Sequence, residues 1–176
     1  DLPERNWDIR EFTRNIRLEA DPYAQMAKNT VQAKGQLTQS DFIKFDSPNG
    51  NGTRVMFVGN SMTLHGIAPA IGWFNECGMA ASAPENDYVH ILKEKVLAVD
   101  PDASFFICQA ADWERGYKNG ASTYQKYEAA RNFDADVIIF RCIENCPKGD
   151  FEADVFLREL DAFLTFLLDG ANEYTV

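Results

Sequence analysis

The stretch Arg54-Val55-Met56-Phe57-Val58-Gly59-Asn60-Ser61-Met62-Thr63 constrains this chain more than any other. Four apolar residues in a row, closed by a glycine and a polar pair, have the form of a strand buried on both faces. A strand of that kind belongs in a parallel sheet covered by helices, not in a sheet with one wet face. Residues 103–108 and Val137-Ile138-Ile139-Phe140 repeat the form, and helical patterns separate the three runs. Strands alternating with helices predict a parallel sheet with right-handed crossovers. The expected fold is a three-layer α/β/α sandwich of the flavodoxin-like kind.

The helices between the strands have readable ends. Ser82-Ala83-Pro84-Glu85 has the form of a capping box, with proline in the first turn. The helix it opens carries Tyr88, Leu92 and Val96 on one stripe with Val89 beside it, and Asp100-Pro101 stops it. Residues 122–132 read as a helix with Tyr124, Tyr127 and Arg131 along one side. Residues 150–169 give the strongest helical pattern. Phe156, Leu160, Phe163, Leu164 and Leu167 face a core, and Gly170 is a C-terminal stop. Glu173-Tyr174-Thr175-Val176 reads as the start of a further strand.

Upstream of the α/β body the pattern changes. Ile9, Phe12 and Ile16 follow helical spacing until Pro22 interrupts it, and residues 23–31 suit a second short helix. Phe42-Ile43-Lys44-Phe45 suits a small strand at a sheet edge. Ser47-Pro48-Asn49-Gly50-Asn51-Gly52 is a turn or linker by composition. The expected organisation is an N-terminal helical extension and linker over residues 1–52, followed by an α/β domain over 53–176.

Length and charge narrow the function classes. With 176 residues the chain is long enough for one domain with a sizeable core. Its formal charge of −10 and lack of a basic patch argue against a phosphate-backbone partner. No apolar run approaches the roughly 20 residues that span a bilayer. Asp1 is not an initiator methionine, so the compartment stays open between cytoplasm and secretion after signal removal. Cys142 and Cys146 are separated by three residues where a C-x-x-C pair has two, and Cys77 and Cys108 supply no second pair. Structural thiols rather than metal ligands are expected, with Cys108 and Cys142 buried in apolar strand-like runs. Gly50-x-Gly52 precedes its strand, whereas a dinucleotide fingerprint must follow one. No cofactor is expected.

Chemistry is expected at the carboxyl ends of the parallel strands. Three segments meet there: Gly59-Asn60-Ser61, Gln109-Ala110-Ala111 and Ile143-Glu144-Asn145. A serine on one and an asparagine amide on another suit acyl transfer, with the hydroxyl attacking and N–H groups holding the oxyanion. The alternative at Ser61 is a tight turn with a helix cap. His65 suits a loop or lid residue, and His90 a helix-surface residue. Glu114 and Arg141 are candidates for a charge pair near the cleft. Trp73, Phe74 and Trp113 are candidates for lining a pocket or for packing.

These residues resemble the SGNH (GDSL-type) hydrolase family. Gly59-Asn60-Ser61-Met62-Thr63 is similar to its first block, with Asn60 where an aspartate is commoner. Gln109-Ala110-Ala111 stands in the place of the second block, with alanine for the usual glycine. Ile143-Glu144-Asn145-Cys146 stands where Gly-x-Asn-Asp belongs, matching only at Asn145. The resemblance covers about residues 53–176. It implies that Ser61 is the nucleophile, and that its own N–H, the N–H near Ala111 and the Asn145 amide form the oxyanion hole. Asn60, His65, Trp113 and Glu114 are then expected around the substrate, an acyl or acetyl ester of a carbohydrate or similar small molecule. The family's last block, Asp-x-x-His near the C-terminus, has no counterpart in that position. The expectation is that the natural protein continues past Val176 and carries the base there. The competing reading is a non-catalytic binding module that kept the pocket and lost the base. The oligomeric state is not set by any of these residues.

Overall fold

The computed structural model describes residues 42–47 and 49–168, leaving aside the side chain of Gln125. The helices expected within residues 1–41 and the strand expected at 173–176 lie outside the described residues.

Among the described residues four strands form one open sheet: β1 (Phe42–Phe45), β2 (Arg54–Gly59), β3 (Ser104–Gln109) and β4 (Val137–Arg141). Their spatial order is β1-β3-β2-β4. β2 lies between β3 and β4 and is parallel to both, as the buried apolar runs predict. The sheet is not parallel throughout. β1 joins β3 antiparallel, with Phe42 opposite Cys108 and Phe45 opposite Phe105. The reason is chain length. A parallel partner needs a crossover of about a dozen residues or more, and the 46–53 link is too short to return to the far end of the sheet. It passes instead beneath β3, where Ser104 Oγ accepts from the Ser47 N–H at 3.0 Å and Asp102 Oδ1 accepts from Asn49 Nδ2 at 2.7 Å.

Alternation along β2 sends its side chains to opposite sides of the sheet. Val55 and Phe57 join Leu64, Val89, Phe105 and Ile107 in one core. Helix α1 (Tyr88–Leu97) closes that core with Val89, Leu92 and Val96. Met56 and Val58 enter the second core, which contains Trp113, Tyr127, Phe156 and Phe163. This side is covered by α2 (Ala111–Arg115), a 3-10 stretch over Tyr117–Tyr127, the short α3 (Glu128–Arg131) and α4 (Ala153–Leu168). Trp113 stacks on Phe163 with ring centroids 4.7 Å apart and planes 12° apart.

Two helix boundaries differ from expectation. Ser82 does not cap α1; Pro84–Asn86 form a separate 3-10 turn, and Asp87 is the N-cap, accepting from the His90 N–H at 2.7 Å. Residues 122–132 are not one α-helix. They divide between the 3-10 stretch, broken at Gly120, and α3. Strongest of the expected helices, α4 starts at Ala153 and buries Phe156, Phe163 and Leu167.

Candidate functional site

The three parallel strands end in one row. Gly59 is paired with Gln109 on one side and Arg141 on the other, so the loops that follow leave the sheet side by side. Gly59 is required there by space. A Cβ on it would sit 1.8 Å from Thr63 Oγ1 and 2.7 Å from the Arg141 carbonyl oxygen.

Ser61 lies in the tight turn after β2. The turn closes on Asn60, whose carbonyl accepts from the Thr63 and Leu64 N–H groups at 2.9 and 3.1 Å. Asn60 Oδ1 accepts from the Met62 N–H at 3.0 Å, an Asx-type turn. The Ser61 carbonyl accepts from the Met79 N–H at 2.9 Å, which pins the following loop over the turn. Ser61 itself stays half-buried.

Beneath this turn sits Glu114, in α2 and without exposure to water. Its two oxygens receive Asn60 Nδ2, each at 3.2 Å. Oε1 also accepts from the Ile143 N–H, and from the Asn145 N–H at 3.0 Å. Oε2 accepts from Asn145 Nδ2 at 2.8 Å. The loop after β2, the helix after β3 and the loop after β4 therefore meet at one carboxylate. Glu144 adds a second link. Its Oε2 accepts from Asn60 Nδ2 at 2.6 Å, while its Oε1 pairs with Arg141 Nη2 at 2.6 Å. Ile143 takes a backbone φ of 127° to present its N–H, a conformation that favours glycine.

The expected site residues fall into two groups. Asn60 and Asn145 are brought together on Glu114, and Ser61 is chain neighbour to the first. Asn60, Trp113 and Glu114, expected around a substrate, are each wholly enclosed and offer a ligand no surface. Trp113 is a core residue, packed by Phe140, Phe156 and Phe163. The expected Glu114–Arg141 pair is replaced by Arg141–Glu144, because Glu114 is consumed by N–H donors from both loops. The Ala111 N–H, expected in the oxyanion hole, is taken by Gln109 Oε1 at 2.7 Å.

Both histidines are engaged elsewhere. His65 Nδ1 lies 2.6 Å from the Gly66 carbonyl oxygen, and Trp73 packs edge-on against its ring. Since a carbonyl only accepts, that nitrogen carries the proton. His90 Nδ1 lies 2.8 Å from Asp87 Oδ1, and its ring packs toward Phe45. Asp87 and His90 have the Asp-x-x-His spacing, placed in the first turn of α1 rather than near the C-terminus.

Asp87 was legible as an acid just before an apolar periodic run, the position of an N-cap. Burial alone would raise its carboxyl. Hydrogen bonds from the His90 ring, the His90 N–H and the Gly78 N–H outweigh that and hold it below the usual range. Gly78 has to be a glycine, for a Cβ would come within 2.2 Å of the Met62 carbonyl oxygen.

Beside the Ser61 turn opens a cleft of about 340 Å³ lined by Met62, Gly78, Ala81, Asp87, Tyr88 and Arg141, among others. Thr63 Oγ1 and Tyr88 Oη, 2.7 Å apart, tie the turn after β2 to α1. All four cysteines are free thiols. Burial pushes Cys77 up to about 12 and Cys146 up to about 11, far from a reactive thiolate at neutral pH. Among the described residues no group of three or more His, Cys, Asp or Glu side chains is placed to hold a metal ion. Among them, too, no helix is long and apolar enough to cross a membrane.

No family, curated protein or solved structure matches this chain in sequence or fold comparison.

Proposed function

We propose that this chain is a serine ester hydrolase of the SGNH type, built on a three-layer α/β/α sandwich, with Ser61 as nucleophile. One observation carries the reading. The Glu114 carboxylate binds both Asn60, the residue before Ser61, and Asn145 from the loop after the neighbouring strand. A serine and an amide are thereby held on the same edge of the sheet by an element that does neither job itself.

In this mechanism the Ser61 hydroxyl adds to the ester carbonyl carbon and gives its proton to a base. The carbonyl oxygen becomes an oxyanion, which the Ser61 N–H and the second Asn145 Nδ2 hydrogen stabilise. Collapse expels the alcohol and leaves an acyl-serine. Water then attacks that ester, releasing the acid and restoring the hydroxyl. The substrate class is an acyl or acetyl ester of a carbohydrate or similar small molecule.

The test is acylation by p-nitrophenyl acetate, whose leaving group is good enough to react with a weakly activated serine. The expected result is an acetyl group on the Ser61 peptide by mass spectrometry, absent from Ser61→Ala. Acetylation elsewhere, or none, overturns the proposal. Comparing the acylation rate of His65→Ala and His90→Ala then locates the base. A rate lost in either variant places the base in this chain.

A second reading, a binding module without turnover, is favoured by one observation. Among the described residues neither histidine hydrogen-bonds to Ser61; their Nδ1 atoms face Gly66 and Asp87. Saturable binding of an ester that Ser61→Ala leaves unchanged, with no acyl-serine formed, decides for it.

A further inference from the structure

We infer that the cleft beside Ser61 takes a carboxylate carried by the substrate, with Arg141 as the group that binds it. The inference deepens the hydrolase reading and rests on it for the identification of the ligand as a substrate.

Arg141 is the last residue of β4 and pairs with Gly59, two residues before Ser61. Its side chain lines the cleft that Met62 borders. Nη2 is committed to Glu144 at 2.6 Å. Nη1 is screened from solvent and has no protein acceptor. A guanidinium is a rigid fork of donors suited to a planar oxyanion, and a buried N–H without an acceptor is costly. The Arg141 side chain as a whole is 38% exposed, so a small rotation of the guanidinium brings Nη1, a donor that the fold does not satisfy, to an acceptor entering the cleft.

The remaining walls decide the sign of the ligand. Gly78, Ala80 and Ala81 are small and neutral. Asp87 is the one carboxylate in the lining, and it is already occupied. Oδ1 accepts from the His90 N–H at 2.7 Å and faces its ring nitrogen at 2.8 Å, while Oδ2 accepts from the Gly78 N–H at 3.0 Å. Among the described residues of the lining, Arg141 is therefore the one charge with unused capacity. A chain of net charge −10 repels anions at long range. The selection must come from direct contact, which a charge-assisted hydrogen bond from Nη1 supplies.

The test reads binding, not turnover. Sodium succinate and sodium D-glucuronate, with neutral D-glucose as control, are titrated by calorimetry into the full chain and its Ser61→Ala variant. Either acid is expected to bind about tenfold or more tighter than glucose, the scale of one charge-assisted contact. Succinate as the tighter ligand places the carboxylate on the acyl half of the substrate; glucuronate places it on the alcohol half. Arg141→Met should abolish the preference and Arg141→Lys keep only part of it, since a point charge lacks the fork. Glu144→Gln should tighten acid binding by releasing Nη2, and it reports even where Arg141→Met fails to fold. Equal binding of acids and glucose, or a preference that survives Arg141→Met, overturns the inference. Loss of acid binding leaves the Ser61 acylation test untouched. Failed acylation alongside a measured acid preference removes the hydrolase reading instead.

Discussion

Glu114 is a carboxylate sealed from water, and its neighbours decide whether that is tolerable. Burying an unpaired charge costs several kcal/mol. Here Asn60 Nδ2, two backbone N–H groups and Asn145 Nδ2 all donate to it. Charge-assisted bonds of about 1.5–3 kcal/mol each bring the balance near or past zero. Because every partner is a donor, Glu114→Gln turns one acceptor into an opposing donor. The expected loss is about 2–4 kcal/mol in urea unfolding, with Ser61 acylation falling further than stability alone explains. An unchanged midpoint refutes the keystone role. Ile143 shows the same demand from the backbone side. Its φ of 127° strains a β-branched residue to deliver an N–H to Glu114. Half-exposed Ile143 loses little packing on truncation. Ile143→Gly should therefore raise stability by about 1 kcal/mol, the usual scale of such strain, measured as a higher melting temperature. Neither feature was legible in the sequence. Glu114 was read as a charge partner of Arg141 and a substrate contact rather than as the buried acceptor joining two loops, and nothing local in Ile143-Glu144-Asn145 signals a glycine-like backbone.

At the scale of elements, the strands were legible because a strand buried on both faces leaves an unbroken apolar run. Direction was less so. Phe42–Phe45 was expected as a small edge strand with no direction assigned, and the short 46–53 link decides its antiparallel pairing with β3, a constraint of chain length rather than residue type. The start of α1 was misplaced for a different reason. Ser82 and Glu85 have the spacing of a capping box, but Asp87 wins because its two oxygens satisfy both the helix terminus and the Gly78 N–H of the loop over Ser61. Asp87→Ala should cost about 1–2 kcal/mol, more than a surface cap, since it also frees a buried N–H. The folded carboxyl lies below its unfolded value, so the folded state binds fewer protons. Its contribution is therefore fully present above the ordinary carboxylate range of about 4 and is lost as pH falls through the lowered value. Wild type and Asp87→Ala stabilities should converge in acid and separate toward neutral pH. A gap that stays constant from pH 7 to about 2 would contradict the assignment.

Across the whole molecule, one sheet serves two cores, and β2 is the strand common to both. It pairs on each side, and Val55 to Val58 are at most 3% exposed. β2 amides should exchange with solvent slowest, near the rate set by global unfolding, with β1 exchanging faster because among the described residues it is bonded on one side. Hydrogen exchange that protects β1 as strongly as β2 would mean the sheet opens as a single unit. The residues of these elements determined a great deal unaided: apolar runs specified the strands, helical spacing specified α1 and α4, and Ser61 was placed at a strand end. Only the tertiary structure decided what surrounds that serine. It set Glu114 at the junction of two loops, sent Trp113 into the core, covered the Ala111 N–H with Gln109 and turned Arg141 toward the cleft. The physical reason is range. Periodicity and turn chemistry act over a few residues, whereas the partners of Glu114 lie 29 to 54 positions away along the chain and meet only when the strands align.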